Sequence, residues 1–93
     1  MFLENNSDLS FITSDRPVIN LGKAPKEFYT LYFPLSPKYA FKISSQTKYS
    51  GRTSLVEKNE VNQLNIEMAK QADKMIFANS RQLVQSYKPY INA

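Results

Sequence analysis

Apolar and polar residues alternate with a period of two along the first half of the chain and recur at three- and four-residue steps in the second. That pattern predicts strands followed by one principal helix. Tyr39, Phe41 and Ile43 alternate with Ala40, Lys42 and Ser44, the clearest half-buried strand. Leu31, Phe33 and Leu35 alternate in the same way with Thr30, Tyr32 and Pro34. Ser36-Pro37-Lys38 is turn chemistry, so the two runs are expected to form an antiparallel hairpin with Leu31, Phe33, Leu35, Phe41 and Ile43 turned to the core. Pro34 has no amide to donate, which places its end of the strand at an edge or a bulge. Residues 9–13 read as a strand buried on both sides and residues 18–21 as a second short extended run. Residues 1–8 are expected to be a flexible lead-in. The stretches 22–27 and 45–53 carry the glycines and read as loops, the second exposed and mobile.

Ser54 and Glu57 have the spacing of a capping box, which starts the helix at Ser54. Val61, Leu64, Met68, Ala72 and Met75 then mark one apolar face, while Lys58, Glu60, Glu67, Lys70 and Asp73 take the other. Glu67 and Lys70 make a weak surface pair. The compact run Met75-Ile76-Phe77-Ala78 fits either a last helical turn or a short buried strand, and the strand is the expectation adopted. Asn79 or Ser80 then caps a final helix from Arg81 to about Tyr87, ended by Pro89. The fold class is α+β: a small, mainly antiparallel sheet, one long amphipathic helix packed on it, and a short C-terminal helix. The 93 residues make a single domain with one modest core.

Composition narrows the chemistry. The chain has no cysteine and no histidine. Those absences remove disulfides, thiolate metal sites, the commonest general base and the commonest metal ligand, so no cofactor or metal is expected and an enzyme is disfavoured. No apolar run approaches the roughly 18 residues of a membrane span, and the first residues do not resemble a secretion signal, so a cytoplasmic protein with no membrane partner is expected.

Two clusters carry candidate chemistry. Phe11-Ile12-Thr13 stops at the corner Ser14-Asp15-Arg16-Pro17, which presents a hydroxyl, a carboxylate and a guanidinium on a turn stiffened by proline. Asn65 lies between Val61 and Met68 on the buried helix face and needs a polar partner. It is expected to reach residues 13–17, with Asp15 accepting amides of its own turn. Ser14, Asp15, Arg16 and Asn65 are therefore the candidate ligand or catalytic group, set against the plainer reading that they lock corner to helix. The second cluster follows from the charge balance, +4 overall: Lys38, Lys42, Lys48 and Arg52 occur with no acid among them and with Tyr49 interleaved. Such a stretch can track a phosphate backbone and stack a base, and a hairpin with lysines on its solvent face reads the same way.

The order of three motifs, Phe11-Ile12-Thr13-Ser14-Asp15-Arg16-Pro17-Val18, then Tyr32-Phe33-Pro34-Leu35-Ser36-Pro37-Lys38, then Val61-Asn62-Gln63-Leu64-Asn65 leading into Ile76-Phe77-Ala78, resembles the C-terminal part of the bacterial family called domain of unknown function 4238. The resemblance covers about residues 9–80. It implies a fold and a set of structurally important positions, and no reaction. Two departures stand out. Arg16 occupies a position where the family commonly has Asn, and family members usually carry a helical N-terminal half that is not seen in this chain. The reading that follows is a small non-catalytic interaction domain, completed by a protein partner or by homodimerisation. Nucleic-acid or phosphate binding through residues 38–52 is the alternative, and a ligand or catalytic site at the corner is the second alternative.

Overall fold

The computed structural model describes residues 2–22, 30–44 and 53–93. Its elements run β1 (Phe2–Asn5), β2 (Thr13–Ser14), β3 (Ile19–Asn20), β4 (Thr30–Pro34), β5 (Tyr39–Ser44), β6 (Thr53–Val56), α1 (Lys58–Gln71), β7 (Ile76–Phe77), α2 (Arg81–Tyr87) and a 3-10 turn (Lys88–Tyr90). Five strands form one sheet in the order β3-β4-β5-β1-β6, and β2 pairs with β7 apart from it. Among the described residues only the β1–β6 pairing is parallel. This is the α+β fold the periodicity predicts, with a mainly antiparallel sheet, one long helix and a short C-terminal helix.

The hairpin forms as expected, with Leu31 opposite Ile43, Phe33 opposite Phe41 and Pro34 opposite Ala40. Pro34 lies beyond the end of the short β3–β4 ladder, which pairs only Tyr32 and Leu31 with β3, so the amide it lacks is not required there. The run at Ile76 is the expected short strand, and Ser80 caps α2 by accepting the Leu83 amide at 3.2 Å. Glu67 and Lys70 approach to 3.8 Å.

Several expectations are corrected. Residues 2–5, placed in a flexible lead-in, form β1 between β5 and β6. Four residues are too few to show a period, yet Leu3 is buried, the Asn5 amide donates to the Lys38 carbonyl at 2.8 Å and the Asn6 amide to that of Val56 at 2.8 Å. Ser54 does not cap the helix. It lies inside β6 opposite Leu3, because Thr53-Ser54-Leu55-Val56 alternates and buries Val56 beside β1. The helix starts at Lys58 after Glu57, whose side chain makes no cap bond and instead accepts from Asn6 Nδ2 at 3.0 Å.

The third correction concerns the two faces of the hairpin. Tyr32, Pro34 and Ala40 are buried, whereas Phe33, Leu35 and Ile43 are exposed and Leu31 and Phe41 only half-buried. The inner face, with Leu3, Ile19, Tyr32, Ala40 and Val56, joins one core with Val61, Leu64, Met68, Ala69 and Ala72 of α1 and its end. Phe11 belongs to that core and meets Tyr32 edge-on at 6.1 Å between ring centroids. The larger apolar side chains thus lie on the other side of the sheet. Met75, placed on the helix's apolar face by its spacing, is exposed because α1 ends before it.

Residues 9–12 are buried as predicted at Phe11 and Ile12 but join no ladder. Their backbone is satisfied otherwise: the Phe11 amide donates to the Pro37 carbonyl at 2.9 Å, and Asn65 serves both the Ile12 amide and the Ser10 carbonyl. This segment runs under α1, which it joins to the rest of the core.

Candidate functional site

Asn65 projects from the middle of α1 and is fully buried, at 0 % exposure. Its Oδ1 accepts the Ile12 amide at 3.0 Å, and its Nδ2 donates to the Ser10 carbonyl at 2.9 Å. One side chain here imitates a neighbouring strand for a segment that has none. The partners are residues 10 and 12, not residues 13–17 as the sequence suggests, because the corner lies farther along, at the C-terminal end of α1.

Asp15 does not simply close its own turn. Its Oδ1 accepts the Asp73 amide at 3.1 Å and its Oδ2 the Lys74 amide at 2.9 Å, while its own amide donates to the Met75 carbonyl at 3.1 Å. Desolvation pulls its pKa upward, but the amides of Lys74, Asp73 and Met75 and its own outweigh that and hold it below the usual 3.8. Ser14 is buried; its Oγ donates to the Arg16 carbonyl at 3.0 Å and accepts the Arg16 amide at 3.0 Å. Ser14 and Asp15 therefore set the corner and tie it to the chain leaving α1. Arg16 points away into solvent as an exposed residue. Ser14, Asp15 and Arg16 stand together, Asn65 stands apart from them, and the polar atoms of Ser14, Asp15 and Asn65 are occupied by backbone.

The hairpin turn is a third joint. Ser36 Oγ accepts the amides of Lys38 at 3.2 Å and Tyr39 at 3.1 Å, and the Pro37 carbonyl receives both the Phe11 amide and Asn5 Nδ2. Each motif behind the family resemblance thus ties distant stretches of backbone together.

The basic segment is only partly described. Lys48, Tyr49 and Arg52 lie outside the described residues, as do residues 23–29 and 45–52, where the expected loops fall. Lys38 is exposed at the hairpin turn. Lys42 is half-buried on the inner side of β5 opposite Tyr32, and it is engaged within the protein. Among the described residues there are no clusters of acidic side chains able to hold a metal, and no helix is long and apolar enough to cross a membrane.

The feature that sequence reasoning missed is the outer face of the five-stranded sheet. The register puts Leu31 and Phe33 of β4, Tyr39, Phe41 and Ile43 of β5, Phe2 of β1 and Leu55 of β6 on that side, and Val18 flanks β3. Val18 is 52 % exposed, Ile43 46 % and Leu55 58 %. Glu4, beside Tyr39 and Leu55, is the one ionic side chain the register puts among them in the described ladder. Phe2 meets Tyr39 and Phe41 edge-on, at 5.7 and 6.0 Å between centroids. A shallow hollow of about 190 Å³ opens beside them between Val18, Leu31, Phe33, Phe41 and Ile43. Part of the signal was present in the sequence: β4 sets Tyr32 and Pro34 on one face and Leu31 and Phe33 on the other, and one 14-residue helix covers only one side of five strands.

Two further cavities are built differently. One of about 270 Å³ lies between Phe11–Thr13, the Pro34–Pro37 turn and Phe77–Asn79. The other, of about 350 Å³, lies between the start of α1 and the C-terminal helix, where Tyr87 donates to Asn62 Oδ1 at 2.7 Å. Ser14, Asp15, Arg16 and Asn65 line none of these three spaces.

No curated protein and no solved structure matches the chain. One family does: its sequence model aligns with residues 1–82, taking in β1 as well as the three joints and extending beyond the stretch the motifs suggested. Covering most of the 93 residues, that match places the chain in the family described as Protein of unknown function (DUF4238).

Proposed function

We propose that the chain is a non-catalytic interaction module that binds a protein through the outer face of its sheet. The observation that carries this reading is the mainly apolar outer face that runs from Val18 and Leu31 across Phe41 to Phe2 and Leu55, with Asn20, Glu4 and Thr53 as its polar members. Five strands at about 4.8 Å spacing and a longest strand near 20 Å make that face roughly 400 Å² in projection. The largest apolar patch on a monomer is about 300–600 Å² and often functional, and the apolar part of this face is of that order. The corner supports the same reading from the other direction, since Ser14, Asp15 and Asn65 spend their polar atoms on backbone amides and carbonyls.

A photo-crosslinking residue placed at position 43 in the native cell tests the proposal, with position 63 on the exposed side of α1 as control. An adduct from position 43 and none from position 63 is the expected result. No adduct from position 43 would remove the reading.

A further inference from the structure

Resting on that reading, we infer that the occupant of the outer face is a second copy of this chain, packed sheet to sheet about a two-fold axis. On the β1 and β5 side the rings of Phe2, Tyr39 and Phe41 meet edge-on. Toward β3 and β4 the hollow of about 190 Å³ is lined by Val18, Leu31, Phe33, Phe41 and Ile43. A two-fold axis between the rings and the hollow sets each copy's Phe2 and Tyr39 toward the other's hollow, the isologous arrangement that closed dimers use. Two twisted sheets stack in this manner about 10 Å apart in sandwich proteins.

Charge and area agree with a self-partner. Among the described residues the ladder of the outer face offers no cation, and its one carboxylate, Glu4, stands between Tyr39 and Leu55. A charged ligand therefore finds little to pair with, whereas an apolar surface of matching relief needs no pairing. Roughly 400 Å² of projection per copy makes about 800 Å² for the pair before the relief of the side chains is counted, the scale of a weak, concentration-dependent dimer.

Sedimentation equilibrium of the full chain, from micromolar to submillimolar concentration, is the test. The expected result is a species of twice the 10.7 kDa chain mass. Ile43→Lys and Leu55→Lys, at exposed positions of the face, are each expected to raise the dimer dissociation constant roughly tenfold or more. Gln63→Lys on α1 is expected to leave it unchanged. Circular dichroism melts at high dilution check that each variant folds, and the two face variants serve as replicates of each other. A chain that stays monomeric throughout overturns the inference, and so does a dimer that persists in both face variants. The crosslink at position 43 separates the two readings. An adduct of twice the chain mass supports the second copy. A monomeric chain crosslinked to a protein of another mass overturns the second copy while the interaction reading stands, and a monomeric chain with no adduct removes both.

Discussion

At the scale of single residues, Asn65 and Tyr32 are both fully buried and have opposite polar fates. Asn65 satisfies one amide and one carbonyl of an otherwise unladdered segment, so Asn65→Leu leaves both without partners. The expected loss is about 2–4 kcal/mol in chemical denaturation, the usual cost of stranding two buried groups. Tyr32, in contrast, has a hydroxyl with no hydrogen-bond partner among the described residues. Removing it in Tyr32→Phe is expected to leave stability unchanged or to raise it by about 1 kcal/mol. Burial also pushes the Tyr32 phenol well above its ordinary 10.0. The folded state thus holds a proton that the unfolded state releases from pH 10 upward. Stability is complete below pH 10 and falls above it, by up to about 1.4 kcal/mol per pH unit. Denaturation midpoints between pH 9 and 11 should show this decline in the wild type and a shallower one in Tyr32→Phe. That Asn65 is buried was legible from its place between Val61 and Met68. Its partners were not, since nothing in the sequence says that residues 9–12 lack a ladder and need a side chain in its place.

At the scale of elements, the two capping signals show what local sequence can and cannot decide. Ser80 and Ser54 are both serines just before a run able to form a helix, yet only Ser80 accepts an amide, that of Leu83. Ser54 lies in β6, where the parallel pairing with β1 outweighs a capping box worth about 1 kcal/mol. Ser80→Ala is therefore expected to cost about 1 kcal/mol, and Ser54→Ala less than about half of that, in paired denaturation curves. Equal losses would mean that α1 starts near Ser54 after all. The expectation at Ser54 failed because the partner strand, Phe2–Asn5, is distant in sequence and too short to announce itself. Strand β7, the hairpin and α2 were legible because their signals are local: a compact apolar run, a two-residue period joined by Ser-Pro, and a serine cap ahead of a proline stop.

At the scale of the whole molecule, the inverted hairpin is the decisive observation, because period-two alternation locates two faces and does not say which one is covered. Choosing the larger apolar set, Leu31, Phe33, Phe41 and Ile43, as the inner face is reasonable for a sheet with one wet side. It fails here because the inner space is already filled by the Phe11–Ile12 segment and α1, and the small Pro34–Ala40 pair lies on the side they occupy. The larger apolar side chains of the hairpin are consequently left on the side that its own helix does not cover. This arrangement makes opposite predictions for neighbouring positions of β4. Tyr32→Ala removes a ring at 0 % exposure and is expected to cost about 3–5 kcal/mol. Phe33→Ser removes a ring of similar size at 37 % exposure, and for the isolated chain the expected change is small, within about 1 kcal/mol. If a second copy covers the outer face, the folded state gains stability by mass action, and the melting temperature of the wild type rises with chain concentration. Phe33→Ser should then match the wild type at high dilution and fall behind it as concentration increases, whereas Tyr32→Ala should be destabilised at every concentration. Scanning calorimetry over a hundredfold range of concentration reads both effects at once. A large loss for Phe33→Ser at high dilution would mean that the large apolar set faces inward after all, and the outer-face reading would go with it.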